Sequence, residues 1–446
     1  MKIYSHPTKE ELDELLRRPV RDASELNATV AAVLHDVRQR GDAAVRECEE
    51  RFDKVRLSEL AVSEAEMQAA DEAVGEELKQ AIRLAHRNIR CFHEAQRFEG
   101  EHVWVTDGVE CWQKSVAIER VGLYIPGGTA PLFSTVLMLA TPAKIAGCRD
   151  IVLCTPPARD GSVNPAIIVA AGIAGVSRIY KIGGVQAIGA MAYGTESVPK
   201  VSKIFGPGNQ FVMCAKQQVS LHDVAIDMPA GPSEVEVLAD ETSNPAFIAA
   251  DLLSQAEHGP DSQVLLVCKS LATAQAVEAE VERQLALLPR KDIAAQALEH
   301  SKAIVVRDDR EMMDITNRYA PEHLIIETTN YMELSEHVVN AGSVFLGPLT
   351  PESAGDYASG TNHTLPTGGY AVAYSGVNLD SFCRKITFQH IQPEGIRVIG
   401  RAVELMAEAE GLDAHRNAMT LRMKATAPLP TPPEGGVTSA SPLQHT

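Results

Sequence analysis

At 446 residues the chain exceeds one ordinary domain and has the length to bury large cores, and 45% hydrophobic with 22% charged residues is a globular composition. A formal net charge of −18 argues against nucleic acid or an anionic membrane as the main partner. Residues 1–7 are polar, unlike a secretion signal, and the apolar runs break at Gly, Pro or charge well short of a membrane span, so a cytoplasmic protein is expected.

The first hundred residues read as helical. Asp22-Ala23-Ser24-Glu25 and Ser63-Glu64-Ala65-Glu66 fit capping boxes, and Leu78, Ile82, Ala85, Ile89 and Phe92 recur at helical spacing. From Val116 short apolar runs alternate with Gly/Pro loops and helices. Val121 to Ile125, Asp150 to Cys154 and Arg178 to Ile182 are the first strand-like runs, and Glu234 to Ala239, Gln263 to Cys268 and Ala303 to Val306 resume the pattern. Spacing of βαβ length predicts parallel sheets wrapped by helices: an α/β fold of two tandem units, one inserted within the other. The eight cysteines (Cys48, Cys91, Cys111, Cys148, Cys154, Cys214, Cys268, Cys383) form no C-x-x-C pair and read as reduced thiols, a nucleophilic cysteine being the lesser alternative. Pro393 to Lys424 is helical and charged, and the Pro/Ser/Thr/Gly-rich residues 425–446 read as a disordered tail.

Chemistry concentrates in four segments. Leu252 to Pro260 reads as the last turns of a helix with a Gly-Pro stop, with Ile248, Leu252 and Leu253 inward. Gln255 and His258, three residues apart, share one face; an amide oxygen beside a neutral imidazole can hold a divalent metal, or can simply be a polar helix end. Glu322 and His323 adjoin after Pro321 and before an apolar run, a natural acid–base pair or else a solvated turn. Residues 351–369 form a long stretch of little apolar content carrying Asp356, Asn362 and His363, and loops of that length are commonly functional. His415 follows Glu410 near the end of the helical chain; alone it would be a surface residue. No G-x-G-x-x-G follows a strand, and Gly206-Pro207-Gly208-Asn209-Gln210-Phe211 lacks the third glycine, so these residues leave nucleotide binding open.

In this order the segments resemble the histidinol dehydrogenase family over about residues 20 to 424, on YIPGGTAPLFSTVLM, GPGNQFV, MPAGPSE, SQAEHGPDSQ, APEHL, ESAGDYASGTNHTLPTGG and the terminal ExxxxH. The resemblance implies two tandem incomplete Rossmann-like units and an NAD-dependent four-electron oxidation of L-histidinol to L-histidine through the aldehyde. It implies one zinc per subunit on Gln255, His258, Asp356 and His415, and an acid–base pair on Glu322 and His323. Substrate contacts fall on Ser233, His323, Glu410 and the metal ligands, and NAD contacts on Tyr124, Gln186 and Asn209, with residues 126–129 as a glycine-rich wall. It further implies a homodimer whose C-terminal residues reach the partner's site. The expected domains are an N-terminal arm over 1–23, a first α/β domain over 24–123 and 233–375 carrying the metal and catalytic residues, and a second over 124–232 on the NAD side. A C-terminal helical dimerisation segment over 376–424 and the tail complete the chain. The alternatives are a same-scaffold dehydrogenase of another primary alcohol, such as a sulfonated diol, and a metal-dependent hydrolase or binding module.

Overall fold

Two runs of short apolar strands, each alternating with helices, set the architecture of this computed structural model, which describes residues 1–18, 24–127, 131–229 and 231–426. In chain order the strands are β1 (Lys2–Ser5), β2 (His102–Thr106), β3 (Val109–Ala117), β4 (Arg120–Tyr124), β5 (Asp150–Thr155), β6 (Arg178–Lys181), β7 (Lys203–Phe205), β8 (Ala225–Ile226), β9 (Glu234–Ala239), β10 (Gln263–Cys268), β11 (Lys302–Val305), β12 (His323–Ile326), β13 (Ser343–Leu346) and β14 (Cys383–Ile391). They belong to two units: Met1–Arg97 with Ala117–Arg384, and Phe98–Val116 with the chain from Lys385 on.

The first unit holds two parallel sheets, ordered β6-β5-β4-β7-β8 and β1-β11-β10-β9-β12-β13. With the edge strand β1 set aside, both orders read third-second-first-fourth-fifth. Each sheet is therefore a Rossmann-like half whose winding reverses beside its own first strand, and the tandem α/β expectation holds. Every residue of β9 and β10 is buried, as strands covered by helices on both faces must be. Asn244 accepts the Ala246 N–H and Pro245 opens the helix Pro245–Ala256, whose Ile248, Leu252 and Leu253 pack into the core over the six-stranded sheet.

Four features depart from the sequence expectation. Val30, Leu34 and Val37 of the helix Ser24–Arg40, and Ile82, Ala85 and Ile89 of the helix Glu76–Glu94, pack into the cores over the five-stranded sheet. Helices expected with the first α/β domain thus cover the second. Leu78 and Phe92 lie off that buried stripe, 39% and 46% exposed. The N-terminal arm is part of the sheet, with β1 paired along β11. The segment expected to be helical from 376 also contains the strand β14, beside β3. The Ser63–Glu66 capping box forms as expected, whereas the box at Asp22 falls largely outside the described residues.

In the second unit β2 and β3 pair antiparallel, and the helices Pro393–Ala409 and Asp413–Thr426 pack on each other. The last of these runs through Thr426; the remainder of the tail lies outside the described residues. All eight cysteines are free, five of them buried. Among the described residues no helix is long and apolar enough to cross a membrane.

Candidate active site

Parallel strands β9 and β12 are neighbours in register, with His323 opposite Val235, so their amino ends lie side by side. The helix Asp309–Tyr319 ends in Ala320, a non-glycine residue in the left-handed region at φ 50°. That turn delivers Pro321-Glu322-His323 onto the start of β12. Gly342 lies so close that a Cβ there would meet the Glu322 carbonyl oxygen at 2.5 Å; no larger residue fits without a shift of backbone. Glu322 and His323 are 6% and 4% exposed, so the pair is buried and not a solvated turn.

Glu234 opens β9 and binds both residues through its backbone. Its N–H donates to Glu322 Oε2 at 2.9 Å, and its carbonyl oxygen lies 3.1 Å from His323 Nδ1. A carbonyl only accepts, so Nδ1 carries a proton and Nε2 is the atom at which the ring gains or loses its second one. Nε2 is buried without a hydrogen-bond partner and lies 3.6 Å from Asp356 Oδ1. Ser233, half-buried, immediately precedes Glu234 at the same strand ends.

The metal-type residues arrive from two helices. Gln255 closes the helix Pro245–Ala256; it is 1% exposed and neither atom of its amide has a partner. A buried amide with both atoms unmatched is costly, and a bound cation and its shell would satisfy it. His258 follows on the next turn and is open to solvent. From the helix Glu352–Tyr357 come Glu352 and Asp356, and atoms of His258, Glu352 and Asp356 lie within 4.8 Å of one another. These N/O donors fit a borderline divalent ion. Glu352, 1% exposed with neither carboxylate oxygen hydrogen-bonded, was not singled out from sequence. Its signal was present: it stands four residues before Asp356, the spacing that puts two side chains on one helix face. Asp356 is braced in turn, since His363 Nδ1 lies 2.9 Å from its carbonyl oxygen and Thr135 Oγ1 3.1 Å from His363 Nε2.

The electrostatics follow from burying several charges together. Burial, only partly offset by His323, pushes Glu322 up to about 8. Burial pulls His323 down, but Glu352, Glu322 and Asp356 outweigh it and raise the imidazole to about 10. Asp356 is held low against its own burial, chiefly by His323. A cation on Asp356 would remove one of the three charges that raise the ring.

The three residues implied for NAD also come together. Tyr124, Gln186 and Asn209 line one cleft of about 700 Å³ beyond the carboxyl ends of β4, β6 and β7, where a doubly wound sheet binds ligands. The Tyr124 hydroxyl accepts the Gly184 N–H at 3.1 Å, and Asn209 caps the helix Gln210–Ser220. Gly206, at φ 121°, passes so close to Tyr124 that a Cβ would lie 2.1 Å from its carbonyl oxygen. Asp227 accepts the Gly206 N–H and Lys216 donates to the Gly206 carbonyl, which pins this turn. Pro126 and Gly127 line the cleft, while 128 and 129 lie outside the described residues. Glu410 and His415 are exposed at the turn between the two helices of the second unit.

Proton-handling groups at one strand edge, and a nucleotide-sized cleft on a Rossmann-like half, are the working parts of an oxidoreductase. The family model for histidinol dehydrogenase matches residues 16–423, and the chain belongs to that family. It is similar to the histidinol dehydrogenase of Bacteroides thetaiotaomicron, at 65% identity over 423 residues, 95% of this chain and 99% of that protein. The Escherichia coli histidinol dehydrogenase is 52% identical over 421 residues, 94% of this chain and 96% of the other. The crystal structure of histidinol dehydrogenase from Elizabethkingia anophelis matches with a TM-score of 0.94 at 52% identity, covering 95% of this chain and 98% of that one.

Proposed function

We propose that this protein oxidises L-histidinol to L-histidine through the aldehyde, with two successive hydride transfers to NAD, in the cytoplasm. The observation that carries the reading is the buried Glu322–His323 pair, with His323 Nδ1 tied to the Glu234 carbonyl and Nε2 turned toward Asp356. In its neutral form His323 takes the hydroxyl proton at Nε2 as hydride leaves the alcohol carbon. Glu322, raised to about 8, takes a proton from the water that adds to the aldehyde, a pKa near working pH being suited to a general base. Two adjacent proton acceptors match two oxidations better than one.

Gln255, His258 and Asp356 would hold zinc, with His415 of the partner subunit completing the set and Glu410 of the partner subunit contacting substrate. Zinc bound there supplies a Lewis-acidic clamp for substrate nitrogen atoms. NAD in the cleft by Tyr124, Gln186 and Asn209 supplies the hydride acceptor. Family membership does not favour the sulfonated-diol alternative, nor hydrolysis.

The deciding experiment follows NADH release from L-histidinol with and without a chelator. Two NADH per histidinol, lost on chelation and restored by zinc, are expected. One NADH per substrate, or none, would overturn the reading.

A further inference from the structure

The side chain of Gln186 is held by two acids that belong to neither sheet. Its Nε2 lies 2.9 Å from Glu49 Oε1 and 3.5 Å from Asp53 Oδ2. Both partners are carboxylates, so the amide nitrogen faces them, and the amide oxygen is left beside Gly184 at the cleft. Glu49 and Asp53 are the two ends of a single helical turn, Glu49–Asp53. Glu49 is fully buried, whereas Asp53 lines the cleft wall.

Glu49 Oε1 also accepts the Gly183 N–H at 3.0 Å, at the amino end of the ten-residue helix Gly184–Tyr193. The amino end of a helix is a ready anion site, because its N–H groups and dipole favour negative charge. Here the chain's own carboxylate already fills it. Among the described residues lining the cleft there is no Lys or Arg to neutralise a phosphate. Burial pushes both carboxyls of the pair up, and of the two only Asp53 lines the cleft.

We propose that Asp53, with Gln186 oriented by Glu49, makes this end of the cleft a subsite for the ribose hydroxyls of the nucleotide and excludes phosphate from it, so that these residues select NAD over its 2′-phosphorylated form. The proposal rests on the nucleotide reading of the cleft given above. A ribose hydroxyl can donate to the Gln186 oxygen and to the Asp53 carboxylate; a phosphate can do neither and meets a like charge instead.

The test is titration of NADH and NADPH into substrate-free protein, read by the fluorescence of the bound nucleotide, for wild type, Asp53→Asn, Asp53→Ser and Glu49→Gln. Wild type should bind NADPH at least about tenfold more weakly than NADH, as like-charge juxtaposition dictates. Both Asp53 variants should narrow that ratio severalfold, mainly by tightening NADPH. Glu49→Gln should weaken NADH severalfold, because Gln186 loses the carboxyl oxygen that orients its amide. Circular dichroism confirms that each variant is folded, and the two Asp53 replacements guard against the failure of one. A ratio unchanged in a folded Asp53 variant that still saturates with NADH overturns Asp53 as the selector, and unchanged NADH binding in folded Glu49→Gln overturns the role of Glu49. If wild type itself shows no saturable NADH binding, the nucleotide reading of the cleft falls and takes this proposal with it.

Discussion

His323 and Glu234 are joined by a contact that decides the chemistry of the imidazole: Nδ1 lies 3.1 Å from the Glu234 carbonyl oxygen. An acceptor that cannot donate fixes the proton on Nδ1 and leaves Nε2 as the basic atom. Glu322, tied to the same residue's N–H, is then free to serve a different proton. Glu322→Gln should slow oxidation of the aldehyde by ~10²–10⁴ and leave alcohol oxidation comparatively intact. Rates measured separately on histidinol and histidinal check this; equal losses in both would end the division of labour.

Glu234 is itself gripped by Arg18, which donates to its two carboxylate oxygens at 2.5 and 2.8 Å and to the Tyr319 carbonyl at 2.7 Å. The Glu234 side chain is 2% exposed, so removing the cation strands a buried charge. Arg18→Met should cost about 3 kcal/mol, and adding Glu234→Gln should recover much of it. Urea unfolding of the two variants is the measurement. A double variant no more stable than the single one would show that the pair is not the source of the loss.

Glu236 sits in the middle of β9, fully buried, with one oxygen accepting from Thr316 Oγ1 and the other unpartnered. Burial pushes it up to about 8. A carboxyl raised on folding contributes stability below its unfolded value, near 4, and that contribution is lost as pH climbs through about 8. The wild-type Tm should fall over this window more steeply than that of Glu236→Gln. The variant's advantage at high pH, at most about 5 kcal/mol for a shift of this size, should vanish near pH 4. Parallel melting curves across the window would contradict the assignment.

Metal content gives a test independent of turnover. His258→Asn should lower bound zinc per chain while circular dichroism stays unchanged, because the site adds to α/β units already formed. Unchanged zinc in that variant removes His258 from the ligand set.

Glu410 and His415 lie on a helical pair with Val398, Leu405, Met406 and Leu421 exposed, an apolar surface suited to an oligomer interface. If a site is completed by the neighbouring chain, inactive His323→Ala and His415→Ala proteins should regain activity when mixed, since one site of the mixed dimer keeps both residues. Subunit exchange without recovered activity would place each site within a single chain.

Much of the fold was legible because its signals are local. The apolar runs that became β4, β5, β6, β9, β10 and β11 differ from the observed strands by no more than a residue at either end, since parallel strands buried on both faces have to be continuously apolar. The inward face of the helix Pro245–Ala256 followed from its spacing. The site residues were read through long motifs, and the exact donors depended on them: Gln255 alone was as consistent with a wet helix end as with a cation.

Local patterning states that a face is buried, not what buries it. Helical periodicity correctly marked Ile82, Ala85 and Ile89 as inward, but only packing placed them over the five-stranded sheet. The same limit hid Glu352, whose depth depends on the helix Pro245–Ala256 beside it, and the Arg18–Glu234 pair, 216 residues apart in the chain. It hid Glu49 as well, which reads as one more acid on a charged helix until the tertiary fold sets its carboxylate against Gln186 and Gly183. The sequence by itself determined which segments are strands and helices and which residues can do chemistry, because propensity and residue type act within a few positions. The tertiary structure alone decided which carboxylates lose their water and which atoms of His323 and Gln186 face the reactants, because desolvation and hydrogen-bond direction are set by neighbours far away in the chain.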